Sequence, residues 1–276
     1  MLENHFRALI ATMQDKPAPL LVQHEPPLGW LVLNRPEVQN AIDLRTWNLI
    51  VEGMAELETD PEVRAIVMRS STPEAFSSGA DIAEFPKIDA GAEQARNYRE
   101  AIARASNALI DSPKPVIAMV PGLCIGAGLH VALCCDIRIA ARSARFGVTV
   151  ARLGLGYNLD GVRMLVQTVG HANARDMVFS ARMVGGDEAR AMGLVNRVVD
   201  DAELESATRD YALRMGANSP LVIHAAKAAI QDRLKDPQER DAKALQQMLA
   251  RCSHSEDYRE GIRAFREKRR PKFSGR

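Results

Sequence analysis

Pro121-Gly-Leu-Cys-Ile-Gly-Ala-Gly-Leu-His130 is a glycine-rich turn between the apolar run Val116–Val120 and the small-residue segment 126–134. The run before it reads as a buried strand and the segment after it as a helix. Small residues at such a junction let another molecule approach the backbone closely. A helix start also offers N–H groups without intrahelical partners, at the positive end of the dipole. Upstream, Phe76-Ser-Ser-Gly-Ala-Asp-Ile82 is a second glycine-bearing loop, following a strand over residues 63–68. Tight packing by itself would also produce either loop.

Outward from these loops, short apolar runs alternate with helical patterns. Residues 20–24 and 30–33 read as strands joined through Pro26, Pro27 and Gly29, which is turn chemistry. Asp43 opens a helix with Leu44, Trp47, Val51 and Met54 at helical spacing. A helix over residues 92–110 has Ala95, Tyr98, Ile102, Ala105 and Leu109 on one face, and residues 136–140 read as another strand. Strand, helix, strand in succession predicts parallel pairing with crossover helices. Near residue 202 the strand signal fades. Ser219-Pro220 reads as an N-cap with proline at the first helical position, and Ser253 and Glu256 have capping-box spacing. The expectation is an α/β core over residues 1–202 and a helical C-terminal region over 203–276.

A chain of 276 residues is long enough for one sizeable core plus an appendage. Its 36 basic and 35 acidic side chains nearly cancel, so no global field draws in nucleic acid or an anionic membrane. No run approaches a membrane span. The opening MLENHFRALIATMQDKPAP has a short apolar stretch with acidic groups on both sides, a poor signal or targeting peptide. Cys124, Cys134, Cys135 and Cys252 fit neither a disulfide ladder nor a zinc site. No metal site is expected, and a cytoplasmic protein with reduced thiols is the simplest reading.

The motifs together resemble the enoyl-CoA hydratase/isomerase (crotonase) superfamily. Leu33-Asn-Arg-Pro36 with Asn40-Ala41 is similar to its N-terminal signature, and residues 76–82 to its first oxyanion loop. Gly126-Ala-Gly128, then Cys135-Asp-Ile-Arg-Ile-Ala140 and Ala144-Arg-Phe-Gly147, resemble the second loop and its continuation. Gly193-Leu-Val-Asn-Arg-Val198 resembles a late strand. The order is right over nearly the whole chain. The resemblance implies an α/β spiral of β-β-α turns (the crotonase, ClpP-like fold) with a helical C-terminal trimerisation region. It also implies an acyl-CoA thioester substrate, with coenzyme A as part of that substrate and no separate cofactor. The thioester oxygen would lie between the backbone amides of Ala80 and Ala127. Arg35, Ala41, Ala80, Asp81, Ile82 and Ala83 would line the CoA site. Lys268 and Lys272, in the basic C-terminal run, would meet the nucleotide phosphates, often those bound by a neighbouring subunit of a trimer or hexamer.

The chain departs from the family pattern at the proton-transfer positions. Hydratases of the family use two glutamates, and these fall at His130 and Val150. Valine cannot move a proton, so the two-glutamate mechanism cannot operate unchanged. His130 lies one helical turn beyond Ala127 and has an intrinsic pKa suited to general base work; a hydrogen-bonded core histidine is the other reading. Asp160 is the second candidate, or else the N-cap of a helix starting at Gly161. Tyr157 and Asn158 are turn residues that would also suit orienting water or substrate. Arg152 would pair with Asp160 or with a carboxylated acyl chain, or simply be solvated. Hydration, double-bond isomerisation and thioester hydrolysis all remain open, as does an acyl-CoA binding protein without catalysis. RNA binding, known in one branch of the superfamily, is disfavoured by the near-neutral charge.

Overall fold

The computed structural model describes residues 17–88 and 91–276. Most of the opening segment read above for targeting signals lies outside the described residues. β1 (Leu20–Glu25) and β2 (Leu28–Leu33) form an antiparallel hairpin with Leu20 opposite Leu33. α1 (Leu44–Thr59) follows, opened by Asp43, whose carboxylate accepts from the Thr46 N–H and Oγ–H. Trp47, Ile50, Met54 and Leu57 are the buried face of α1.

Next come β3 (Ala65–Ser70), β4 (Ala75–Ser77), the single turn α2 (Phe85–Ile88) and α3 (Ala92–Ile110). β5 (Val116–Val120), β6 (Leu123–Ile125) and α4 (Ala127–Cys134) make the next round, and β7 (Ile137–Ala141), β8 (Arg145–Gly147), the single turn α5 (Val150–Leu153) and α6 (Leu159–Ser180) the one after. In each round the first strand joins one sheet and the second strand the other. The six-stranded sheet has the order β1-β2-β3-β5-β7-β10, parallel from β2 onward. The four-stranded sheet runs β4-β6-β8-β9, with β9 at Val184–Gly185 and β10 at Arg197–Val199. This is the expected spiral of β-β-α turns. β5 is buried at every position, as a strand covered on both faces must be.

After α7 (Gly186–Ala191), α8 (Leu204–Gly216) packs against β2, β3, β5 and β7. The helical region beyond residue 203 therefore begins by covering the core sheet. The Arg209 guanidinium of α8 lies 4.9 Å from the Trp30 ring, and Arg69 of β3 lies 5.1 Å from it. α9 (Pro220–Leu234), α10 (Ala242–Ser253) and α11 (Glu256–Arg266) complete the chain.

One capping expectation for these helices is corrected. Ser253 ends α10, and it is Ser255 that caps α11 by accepting from the Tyr258 N–H, because α10 keeps its helical bonds to its last residue. Ser219 is the N-cap residue of α9 with Pro220 first in the helix, as expected, and its hydroxyl donates to Asp257.

Candidate functional site

The two glycine loops sit side by side. β4 and β6 are neighbours in the four-stranded sheet, so the residues leaving their C-terminal ends must lie close. A Cβ added to Gly79 would lie 3.9 Å from the Ala127 nitrogen and 3.3 Å from the Ile125 carbonyl oxygen. Gly79 has φ +120° and Gly126 φ +54°, conformations that L side chains rarely adopt. Gly128 fixes the spacing of α4: a Cβ there would come within 2.6 Å of Ser77 Cβ and 2.7 Å of its carbonyl oxygen.

The amides of these loops are divided unequally. Ile42 N–H donates to Gly79 O and Asp81 N–H donates to Ile42 O, so the bridge to Ile42 uses the residues on either side of Ala80. The Ala80 N–H is left out of that pairing. Ala127 is the first residue of α4, where a backbone N–H has no intrahelical acceptor. Among the described residues neither amide has a hydrogen-bond acceptor. N–H groups on two neighbouring loops, one of them at a helix N-terminus, have the chemistry that an oxygen carrying partial negative charge needs.

His130 is 2% exposed. Its Nε2 lies 2.8 Å from Ser106 Oγ on α3, and that hydroxyl is also 2.8 Å from the Ile102 carbonyl oxygen. The Ser106 proton goes to the carbonyl, so His130 Nε2–H must be the donor to Ser106. Nδ1 is then an unprotonated acceptor, and it is buried without a partner. Burial pushes the imidazole pKa down to about 4, against a small opposing pull from Asp160. The ring stands edge-on to Trp47, with centroids 6.4 Å apart. At neutral pH His130 is therefore an uncharged, core-packed imidazole with one free lone pair. Val150, on α5, is half-buried against the core.

Asp160 is not the helix cap. Asn158 caps α6 by accepting from the Gly161 N–H, and Asp160 is already the second helical residue. Its side chain is 66% exposed, with Arg163 at 3.5 Å as its cation neighbour in place of Arg152. The Tyr157 hydroxyl is buried without a partner, and burial raises its pKa.

Arg35, Ala41 and Asp81 are brought together. The Arg35 guanidinium donates to the Ala41 carbonyl at 2.6 Å and to Asp81 at 2.9 Å, and Asp43 stands at 3.3 Å. Asp81 also accepts from the Ala83 N–H, and Glu84 accepts from the Leu44 N–H. The rim beside Ala80 is thus held together by its own charges, while Ile82 is 57% exposed. Lys268 and Lys272 are not part of this cluster within one chain. They are exposed, in a tail whose end returns to Arg64 at the start of β3 and to the first turn of α11. The glycine loops lie beyond the other end of β3.

Reading the sequence alone missed the polar ends of Trp47 and Tyr98. Both count correctly as core positions of α1 and α3, and their buried polar ends face each other, with the Trp47 ring edge-on to His130. Their indole and phenol groups were the available signal, because a buried Trp or Tyr ordinarily finds a polar partner.

Comparison with known proteins agrees with the fold. The enoyl-CoA hydratase/isomerase family model matches residues 27–276. A crotonyl-CoA hydratase of Syntrophomonas wolfei is 31% identical over 254 residues, covering 92% of this chain and 97% of that protein. An (E)-benzylidenesuccinyl-CoA hydratase of Thauera aromatica is 30% identical over 250 residues, covering 90% and 96%. Among solved structures, an enoyl-CoA hydratase/carnitine racemase of Magnetospirillum magneticum superposes with a TM-score of 0.89 at 34% identity, over 95% of this chain and 97% of that one. Sequence order, the two-sheet spiral, the paired loops and these matches agree: the chain belongs to the enoyl-CoA hydratase/isomerase family.

Proposed function

We propose that the protein binds an acyl-CoA thioester with its carbonyl oxygen between the amides of Ala80 and Ala127, and catalyses a reaction through the thioester enolate. The observation that carries this reading is the juxtaposition of those two unspent N–H groups, held by Gly79, Gly126 and Gly128. Removing a proton beside a thioester, or adding to its conjugated double bond, drives negative charge onto that oxygen. Donors already in position stabilise the charge without reorganising, each worth about 2.7–4 kcal/mol. The Arg35–Asp81 rim, with Ile82 and Ala83, would line the CoA, and coenzyme A is carried as part of the substrate.

The proton chemistry differs from a pair of glutamates. His130, with its pKa lowered to about 4, has nearly the proton affinity of an ordinary carboxylate. Unlike a carboxylate, it becomes a cation on taking the proton, next to the enolate oxygen one helical turn away. Val150 supplies no second group, so one proton carrier serves the reaction. A double-bond shift, which passes one proton between two carbons, suits that better than addition of water. Asp160 is the alternative carrier, at the exposed start of α6.

A panel of 2-enoyl- and 3-enoyl-CoA thioesters, followed by ultraviolet absorbance and product mass, tests the reading. Interconversion of the enoyl isomers is the expected result. CoA binding without turnover of any thioester would instead make the chain an acyl-CoA binding protein. Retention on RNA with no CoA binding would overturn the reading altogether.

A further inference from the structure

A cavity of about 630 Å³ opens at the C-terminal end of α4, walled by the end of α3, by α6 and by α9. Its volume is that of a small-molecule site. α4 runs from Ala127 to Cys134, so about 10 Å of helix separates the cavity from the Ala127 amide. Leu133, Met164, Ile223 and Ile230 give it an apolar body. Its charged lining is unbalanced, with Arg138, Arg163, Lys227 and Lys235 against Asp111 and Asp136. Asp136 is already committed: its Oδ2 pairs with Lys227 Nζ at 2.9 Å and accepts from the Val116 N–H. Lys227 Nζ is spent in turn on Asp136 and on the carbonyls of Leu109 and Lys114.

Arg138 is the cation this arrangement leaves over. It is 7% exposed, on β7. Its Nε donates to the Leu194 carbonyl at 2.8 Å, and its Nη1 to those of Ala132 at 3.3 Å and Cys135 at 2.8 Å. Those bonds tie off the C-terminal end of α4, where a cation is favoured. Nη2 has no acceptor among the described residues, and it is not sealed in the core, so its two N–H bonds have access to the cavity that Arg138 lines. An arginine does not shed its proton, and a buried charge without a counter-charge is costly. We infer that this cavity is a second binding site, for a small carboxylic acid with an apolar chain, whose carboxylate pairs with Arg138 Nη2 and whose chain lies against Leu133, Met164 and Ile223. An amine would meet the excess of cations, and a neutral group would leave Arg138 unpaired. A phosphate would need more donors than one nitrogen supplies, and would waste the apolar walls. The site is independent of the thioester reading, because it lies at the opposite end of α4 from the amide hole.

Calorimetric titration of the intact protein at pH 7 with octanoate, octan-1-ol, octylamine and acetate tests the inference. Octanoate should bind at least about tenfold more tightly than octanol, which lacks the charge, or acetate, which lacks the chain. Octylamine should give no heat of binding. Arg138→Met removes the guanidinium and keeps an unbranched stem, so it should bring octanoate down to the affinity of octanol, with a melting curve to report folding. Should that variant fail to fold, crystals of the parent protein with 8-bromooctanoate decide, and the bromine signal should lie inside this cavity. Absence of octanoate binding would overturn the inference, as would octanol binding equally well or undiminished octanoate binding by folded Arg138→Met. Bromine beside Ala80 and Ala127 would assign the acid to the thioester site, and a neighbouring copy's side chain filling the cavity would make it an interface. Either finding also overturns the inference.

Discussion

His130 is the residue at which stability and the proposed chemistry meet. Its folded pKa of about 4 lies below the ordinary 6.5, so between those values the unfolded chain binds a proton that the native chain excludes. Stability attributable to this histidine is intact above pH 6.5 and is lost as pH falls toward 4, the direction set by linkage. Between pH 7 and pH 5 the loss should be about 2 kcal/mol. His130→Gln cannot titrate, and chemical denaturation at both pH values should show it losing about that much less than the parent. The same variant should keep CoA affinity while kcat falls about 10²- to 10⁴-fold. Unchanged turnover would return the proton to Asp160. Ala127 permits a sharper test of the amide hole. Proline is tolerated at the first helical position, where it removes only the N–H. Ala127→Pro should therefore melt near the parent temperature and lose about 10²- to 10³-fold in kcat. The position of His130 was legible from its spacing to Ala127. Its neutrality was not, because the burial comes from Trp47 and Ser106, on helices distant in sequence.

At the scale of elements, the site is a contact between α4 and β4. Gly128→Ala would force a Cβ to within 2.6 Å of Ser77 Cβ and against its backbone oxygen, so the helix must move and carry the Ala127 amide with it. Overpacking of this kind costs about 1–3 kcal/mol. We expect a lowered melting temperature together with a fall in kcat much larger than the lost folded fraction, checked by melting curves and turnover on the same preparation. The long elements were readable: the helix over residues 92–110 and the strand Val116–Val120 appear at those bounds, because periodicity needs length to show. β4, β6 and β8 have three residues each and were read as loop or turn or passed over. They are strands only because the neighbouring round of the spiral supplies their partners. The start of α6 misled for a local reason: Asn158 and Asp160 are both good caps, and the bond from Gly161 N–H selects Asn158.

The whole molecule shows where one chain ends and an assembly would begin. Leu221, Ala225 and Ala228 are apolar positions of α9, but Ala225 is buried within the chain and the other two are half-buried. The outward face is instead Val222, Ala226, Ile230 and Leu234, four residues apart and therefore one stripe along the helix. Ile230 is 63% exposed, and Phe265 on α11 is 85% exposed. Large apolar side chains left in water over two neighbouring helical elements are what a protein interface looks like from one side. We predict a homotrimer, alone or as a dimer of trimers, in which a neighbouring chain covers this stripe. Such an assembly would also give Lys268 and Lys272 a route to a CoA site that they lack within their own chain. Light scattering at micromolar concentration should return three or six times the 30.3 kDa chain mass. Ile230→Asp would bury an unpaired carboxylate in the interface, a cost large enough to shift the mass toward the monomer. Because Ile230 touches water in the single chain, its own fold should tolerate the aspartate. A monomeric parent protein would refute the assembly, and an assembled Ile230→Asp would move the interface off this stripe.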